Sequence, residues 1–153
     1  RAKGTIDNDY IQQAEILFKY IIPTASKKIY IYAGNFLADF YTQSSIISSF
    51  EDFLNKEGEK SVVVLCENNE NFDLMKSHPI YGRAEFSFVW TNGKKVNDGH
   101  HFIVTDSNAY REEKGNDQDS HKDYKAKASF NDESKATYLI DQVEKFLSDI
   151  EYD

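Results

Sequence analysis

The sequence predicts an α/β sandwich, a mixed β-sheet with helices on both faces, and three observations carry that prediction. Lys28-Ile29-Tyr30-Ile31-Tyr32-Ala33 and Ser61-Val62-Val63-Val64-Leu65-Cys66 are β-branched and aromatic runs. The second is continuously apolar, as a parallel strand covered on both faces is. Between them, Ile46, Ile47, Phe50, Phe53 and Leu54 recur at helical spacing, which makes a strand-helix-strand unit with parallel strands. Ala136, Leu139, Ile140, Val143, Phe146, Leu147 and Ile150 form one apolar face of a long terminal helix.

The remaining elements follow in order. Tyr10, Ala14, Leu17, Phe18 and Ile21 lie on one helical face between Asp9 and about Ala25, with Asp7, Asn8 or Asp9 as cap, and Pro23 stops or bends this helix by Ile22. Gly34-Asn35 closes the first strand with a turn. The next helix is expected between Leu37 and Asn55, stopped by Gly58. A short helix fits Asn71 to Ser77, ended by Pro79, and Glu85 to Trp90 begins another strand. Asn92-Gly93 is a strong turn signal. Phe102 to Thr105 reads as a strand that pairs with Ala109 to Glu112 across Asp106-Ser107-Asn108. Glu113 to Asp123 is polar and of mixed charge, the composition of a solvated loop. Tyr124 to Phe130 is the last strand, and Asn131 or Asp132 caps the final helix.

A length of 153 residues fits one domain, 1–153, with one substantial core. The chain opens Arg1-Ala2-Lys3-Gly4 without Met, so the expectation is of a trimmed chain or a piece of a longer protein with flanking domains. A net charge of -8, with three Arg among 18 basic residues, argues against broad nucleic-acid binding. The single cysteine, Cys66, excludes an intramolecular disulfide and reads as a buried strand residue. No stretch reaches the apolar length of a membrane span and no signal-peptide core opens the chain, so a cytoplasmic protein is expected. His78, His100, His101 and His121, with one cysteine, make no structural zinc pattern. Glu112, Asp117 and Asp119 lack the order of a calcium loop, and no phosphate-cradling glycine motif occurs. No metal and no cofactor are expected.

The candidate site is Gly99-His100-His101-Phe102-Ile103-Val104-Thr105-Asp106 with Ala128-Ser129-Phe130-Asn131. Together these resemble the phospholipase D superfamily signature H-x-K-x-x-x-x-D followed by G-S-x-N, and the surrounding order of elements extends the resemblance over most of the chain. The resemblance implies a single phospholipase D-like unit. In that family the His attacks a phosphodiester, the Lys binds phosphate, and the Ser and Asn line the pocket. Here Asp106 fills the Asp position, Ser129 and Asn131 fill theirs, Gly99 stands for the nucleophilic His, and His101 stands for the Lys. Without a side chain, Gly99 forms no phospho-enzyme bond. Family members of this size pair so that two signature copies meet, which implies a homodimer.

The residues also have plainer readings. Strand alternation sends His100 and His101 to opposite faces, so one of them at most reaches a common pocket. Asp106 before Ser-Asn suits a hairpin turn, Asn131 suits a helix cap, and Ser129 suits a small packed space. The function expected is a catalytically degenerate phospholipase D-like domain for homodimerisation or partner binding, within a bacterial regulatory, mobile-element or defence protein. Two alternatives stand beside it: a divergent phosphodiesterase, a nuclease or lipid hydrolase, using His100 or His101 with Asp106 at a dimer seam; and a binder of a phosphorylated small molecule through His101, Ser129 and Asn131.

Overall fold

The structure, a computed structural model, describes residues 6–7, 11–36, 39–114 and 125–151. Its elements in chain order are β1 (Ile6–Asp7), α1 (Ile11–Ile21), β2 (Lys28–Ala33), α2 (Ser44–Leu54), β3 (Ser61–Cys66), α3 (Phe72–Ser77), β4 (Phe86–Trp90), β5 (Phe102–Thr105), β6 (Tyr110–Lys114), β7 (Lys125–Ser129) and α4 (Glu133–Glu151). The strands form one mixed sheet in the order β1-β7-β6-β5-β2-β3-β4. β2, β3 and β4 run parallel, Ile29 opposite Val62 and Val62 opposite Phe86. The other half of the sheet is antiparallel, starting with Ile31 of β2 opposite Ile103 of β5.

Period-two alternation divides the strand residues between two cores. Ile29, Ile31, Val62, Val64 and Ile103 pack with Phe18 and Ile21 of α1, Ile46, Phe50 and Phe53 of α2, and Met75 of α3. Tyr30, Tyr32, Leu65, Phe102 and Val104 pack with Leu139, Val143 and Phe146 of α4. Three helices therefore cover one face and α4 covers the other, as a sheet buried on both sides requires. No helix among the described residues is long and apolar enough to cross a membrane.

As expected from Pro23, which lacks the N–H an α-helix would use, α1 ends at Ile21 and passes into a 3-10 turn, Ile22–Thr24; Asn8, Asp9 and Tyr10, expected at its start, lie outside the described residues. Other local expectations need correction. The helix expected from Leu37 begins only at Ser44, since Gln43 is extended at φ -66° and ψ 140°. Asn92 and Gly93 form the expected turn, with φ of 53° and 82°, and the chain then crosses to β5, which pairs with β2 and β6. The polar stretch after Arg111 continues β6 to Lys114; residues 115–123 of the expected loop, and Tyr124 at the start of the expected last strand, lie outside the described residues. Asp132, not Asn131, caps α4: its Oδ1 accepts the Lys135 N–H at 3.0 Å.

Cys66 is fully buried at the end of β3, and burial pushes its thiol up to about 12. The folded thiol keeps its proton through the range in which an unfolded thiol, near 9.0, ionises. Alkali above about pH 9 therefore favours the unfolded chain progressively up to about pH 12. Ellman's reagent at pH 8 is expected to leave the native thiol unmodified and to titrate it fully in denaturant. A native rate comparable with the unfolded one would show Cys66 to be accessible.

Candidate functional site

β2 and β3 end side by side, and β5 starts where β2 ends, with Tyr32 opposite Phe102. The register brings Gly34, Glu67 and His101 to one end of the sheet. His101 Nε2 lies 2.8 Å from Glu67 Oε1, and Glu67 Oε2 accepts the Tyr32 hydroxyl proton at 2.6 Å. The Tyr32 ring meets the His101 ring edge to face at 5.1 Å. Burial, and then the hydrogen bond to Glu67, hold the Tyr32 hydroxyl well above its ordinary pKa, so it acts as a neutral donor. Gly34 leaves room for the imidazole: a Cβ there would stand 3.2 Å from His101 Cε1.

The neighbouring strand completes the cluster. Glu113 N–H donates to His101 O at 2.8 Å, so Glu113 and His101 are level across β6 and β5. His101 Nδ1 is 3.9 Å from Glu113 Oε1, while Arg111 Nη1 donates to Glu113 Oε2 at 3.0 Å. Arg111 is almost fully buried. These side chains border a cavity of about 550 Å³. His101, Arg111 and Glu113 supply one side, Phe18, Phe40 and Tyr41 another, and Asn35, Asp39 and Gln43 the polar remainder. The three rings meet edge to face, Phe18 to Phe40 at 4.8 Å and Phe40 to Tyr41 at 5.0 Å.

His100 points to the opposite face of the sheet. Its Nδ1 is 3.9 Å from Glu112 Oε2, and that nearly inaccessible carboxylate is held by Asn97 Nδ2 at 2.6 Å and by Lys135 Nζ of α4 at 2.9 Å. Gly99 closes a 3-10 turn at φ +85°, a conformation that strains an L side chain.

Asp106, Ser129 and Asn131 are not at the cavity. Asp106 lies at the far end of β5, where its Oδ1 accepts the Ser26 N–H at 2.8 Å and its Oδ2 accepts those of Lys27 at 2.9 Å and Lys28 at 3.3 Å. Its carboxylate thus ties the loop before β2, in addition to standing at the β5–β6 hairpin. Ser129 is opposite Tyr110, whereas the β7 residue level with His101 is Ala126. Three residues of strand and two interstrand spacings separate Ser129 from His101, about 10 Å in each direction. Ser129 is fully buried and its Oγ accepts the Asn131 N–H at 3.3 Å, while Asn131 is exposed. The grouping of His101 with Ser129 and Asn131 into one pocket is therefore not what the fold assembles. The residues beside His101 on the adjacent strand are Arg111 and Glu113, because β6 stands between β5 and β7.

Sequence reasoning missed Glu67, Arg111 and Glu113. Glu67 carried a usable signal: it directly follows the apolar run of a parallel strand, and ligand crevices open at the carboxyl ends of such strands. Arg111 and Glu113 sit in a charged run that looks solvated, and only the pairing with β5 identifies them as cavity residues. Among the described residues no group of three or more His, Cys, Asp and Glu side chains could hold a metal ion.

No protein-family model and no curated protein sequence matches the chain. Solved structures do match its fold. NucT from Helicobacter pylori, a phospholipase D family protein, superposes with a TM-score of 0.61 at 12% identity, over 95% of this chain and 97% of NucT. TrmBL2, an archaeal chromatin protein whose structure shows a novel mode of DNA binding, superposes with a TM-score of 0.64 at 12% identity. That match covers 97% of this chain and 51% of TrmBL2, so the chain spans about half the length of that protein. At these identities the likeness concerns the fold alone: the chain has an α/β fold similar to that of NucT and of part of TrmBL2.

Proposed function

We propose that the chain is a catalytically silent, phospholipase D-like recognition domain whose binding site is the cavity beside His101. The observation that carries this reading is the setting of the His101 ring: one nitrogen is 2.8 Å from Glu67 and the other 3.9 Å from Glu113, while Gly99 has no side chain. A nucleophilic His needs one nitrogen aimed at the electrophile. Here Glu67 holds Nε2, and the like-charged Glu113 carboxylate stands 3.9 Å from Nδ1, where it would repel an incoming phosphodiester. His100 is no substitute, since it faces Glu112 beneath α4.

The cavity also speaks against phosphate. Asp39 and Glu113 line it and Glu67 stands behind His101, against the single guanidinium of Arg111, itself bonded to Glu113. A phosphate entering there meets an excess of negative charge. The net charge of -8 similarly favours a small ligand over DNA or RNA.

The reading is tested by recording amide NMR spectra of the domain with a mixed library of small fragments. Perturbations are expected at residues 33–35, 41–43, 101 and 111–113. Perturbations confined to another surface, such as the groove of Lys94, Lys95 and Lys145, would place recognition elsewhere.

A further inference from the structure

We propose that the cavity takes a small free organic amine, a primary ammonium carrying an apolar body. This rests on the reading of the cavity as the recognition site and names its ligand class. The described polar side chains at the cavity present mainly acceptors. Gln43 lines it with a buried Oε1 that has no hydrogen-bond partner, and the carboxylates of Asp39 and Glu113 lie on the same lining. Of the charged and ring donors, Arg111 Nη1 donates to Glu113 and His101 Nε2 is paired with Glu67, which leaves the amide groups of Asn35 and Gln43 as the neutral donors on the lining.

A ligand that brings N–H or O–H donors matches the carboxylates, and turning the Gln43 amide would present its unpartnered oxygen to the same donors. Charge then selects among donors. Asp39, Glu67 and Glu113 against Arg111 leave the site negative, which favours a cation over an alcohol. The remaining wall is aromatic. Phe18, Phe40 and Tyr41 offer ring surfaces that attract an ammonium and bury an attached apolar group. A volume of about 550 Å³ accommodates a body the size of a phenyl ring with its chain.

The experiment titrates the full chain at pH 7, followed by amide NMR, with four probes: phenethylamine, 2-phenylethanol, phenyl phosphate and Nα-acetyl-lysine methylamide. Phenethylamine is expected to shift the cavity amides and to bind about tenfold more tightly than 2-phenylethanol. Asp39→Asn and Gln43→Ala should each weaken it about threefold or more without changing Tm. Asp39 is exposed, and Gln43 precedes α2 without capping it through its side chain. Equal or tighter binding of the alcohol or the phosphate at the same amides would overturn the amine class and leave the recognition site standing. Preference for the lysine derivative would overturn the free amine in favour of a protein side chain. Unchanged affinity in both variants would also overturn the proposal. If no probe moved these amides, the ligand class would fall, and the fragment library, which contains other chemistries, would then decide whether the site itself falls.

Discussion

Glu112→Ala is expected to lower the unfolding free energy by roughly 3 kcal/mol and Tm by about 6–12 °C. Glu112 is 2% exposed, and its carboxylate joins three segments: β6, which carries it, the 3-10 turn through Asn97, and α4 through Lys135. Removing it leaves the Lys135 ammonium, itself more than half buried, beside the space once filled by its counter-charge, and unpairs one donor of the Asn97 amide. Asn97 holds φ of 52° and also donates to His100 O at 3.1 Å, so the turn leading into β5 loses a restraint as well. A buried ion pair broken on one side costs more than the pair contributes when intact. Thermal unfolding of Glu112→Ala beside a Glu112→Ala/Lys135→Met double variant checks the origin of the loss. The double variant should recover part of it; equal losses in the two would show that the ion pair is not the cause.

Phe36→Ala should cost about 4 kcal/mol. Phe36 follows the Gly34-Asn35 turn and is fully buried, stacked on Tyr41 at 4.1 Å and edge-on to Tyr81 at 4.7 Å and Phe88 at 5.1 Å. Tyr81 in turn donates its hydroxyl to Tyr41 O at 2.5 Å, so Phe36 and Tyr81 together fix the aromatic wall of the cavity. The substitution removes both ring burial and the support under Tyr41. Urea unfolding measures the first effect; a loss smaller than about 1.5 kcal/mol would show that the site collapses to fill the space. Ligand-induced shifts at Tyr41 measure the second, and should shrink in Phe36→Ala more than in Phe36→Leu.

The cores were legible in the sequence where burial fixes composition. The runs of β2 and β3, and the faces carrying Phe50 in α2 and Leu139 in α4, follow from periodicity because each buries an apolar surface against the sheet. β1 was not legible, since two residues carry no pattern and its formation depends on Ile6 meeting Ala128 of β7. The late start of α2 was hidden too, because apolar residues at 36, 37, 40 and 41 imitate a helical face while Phe36 and Tyr41 serve the aromatic wall instead. His101 could be found as a candidate from the signature. Its partners could not, because Glu67 and Glu113 come from strands on opposite sides of β5 and β2 whose order is set by tertiary pairing. The same pairing explains why Ser129 and Asn131 lie away from His101.

The proposed function requires an α/β fold similar to that of NucT around a site without phosphodiester chemistry. Hydrolysis of bis(p-nitrophenyl) phosphate tests it most directly, with wild type and His101→Ala compared at equal concentration and with a buffer blank. Wild type and variant are both expected to release p-nitrophenol at the blank rate. Turnover by the wild type that disappears in His101→Ala would contradict it, for it would show that the imidazole between Glu67 and Glu113 is free to attack phosphorus.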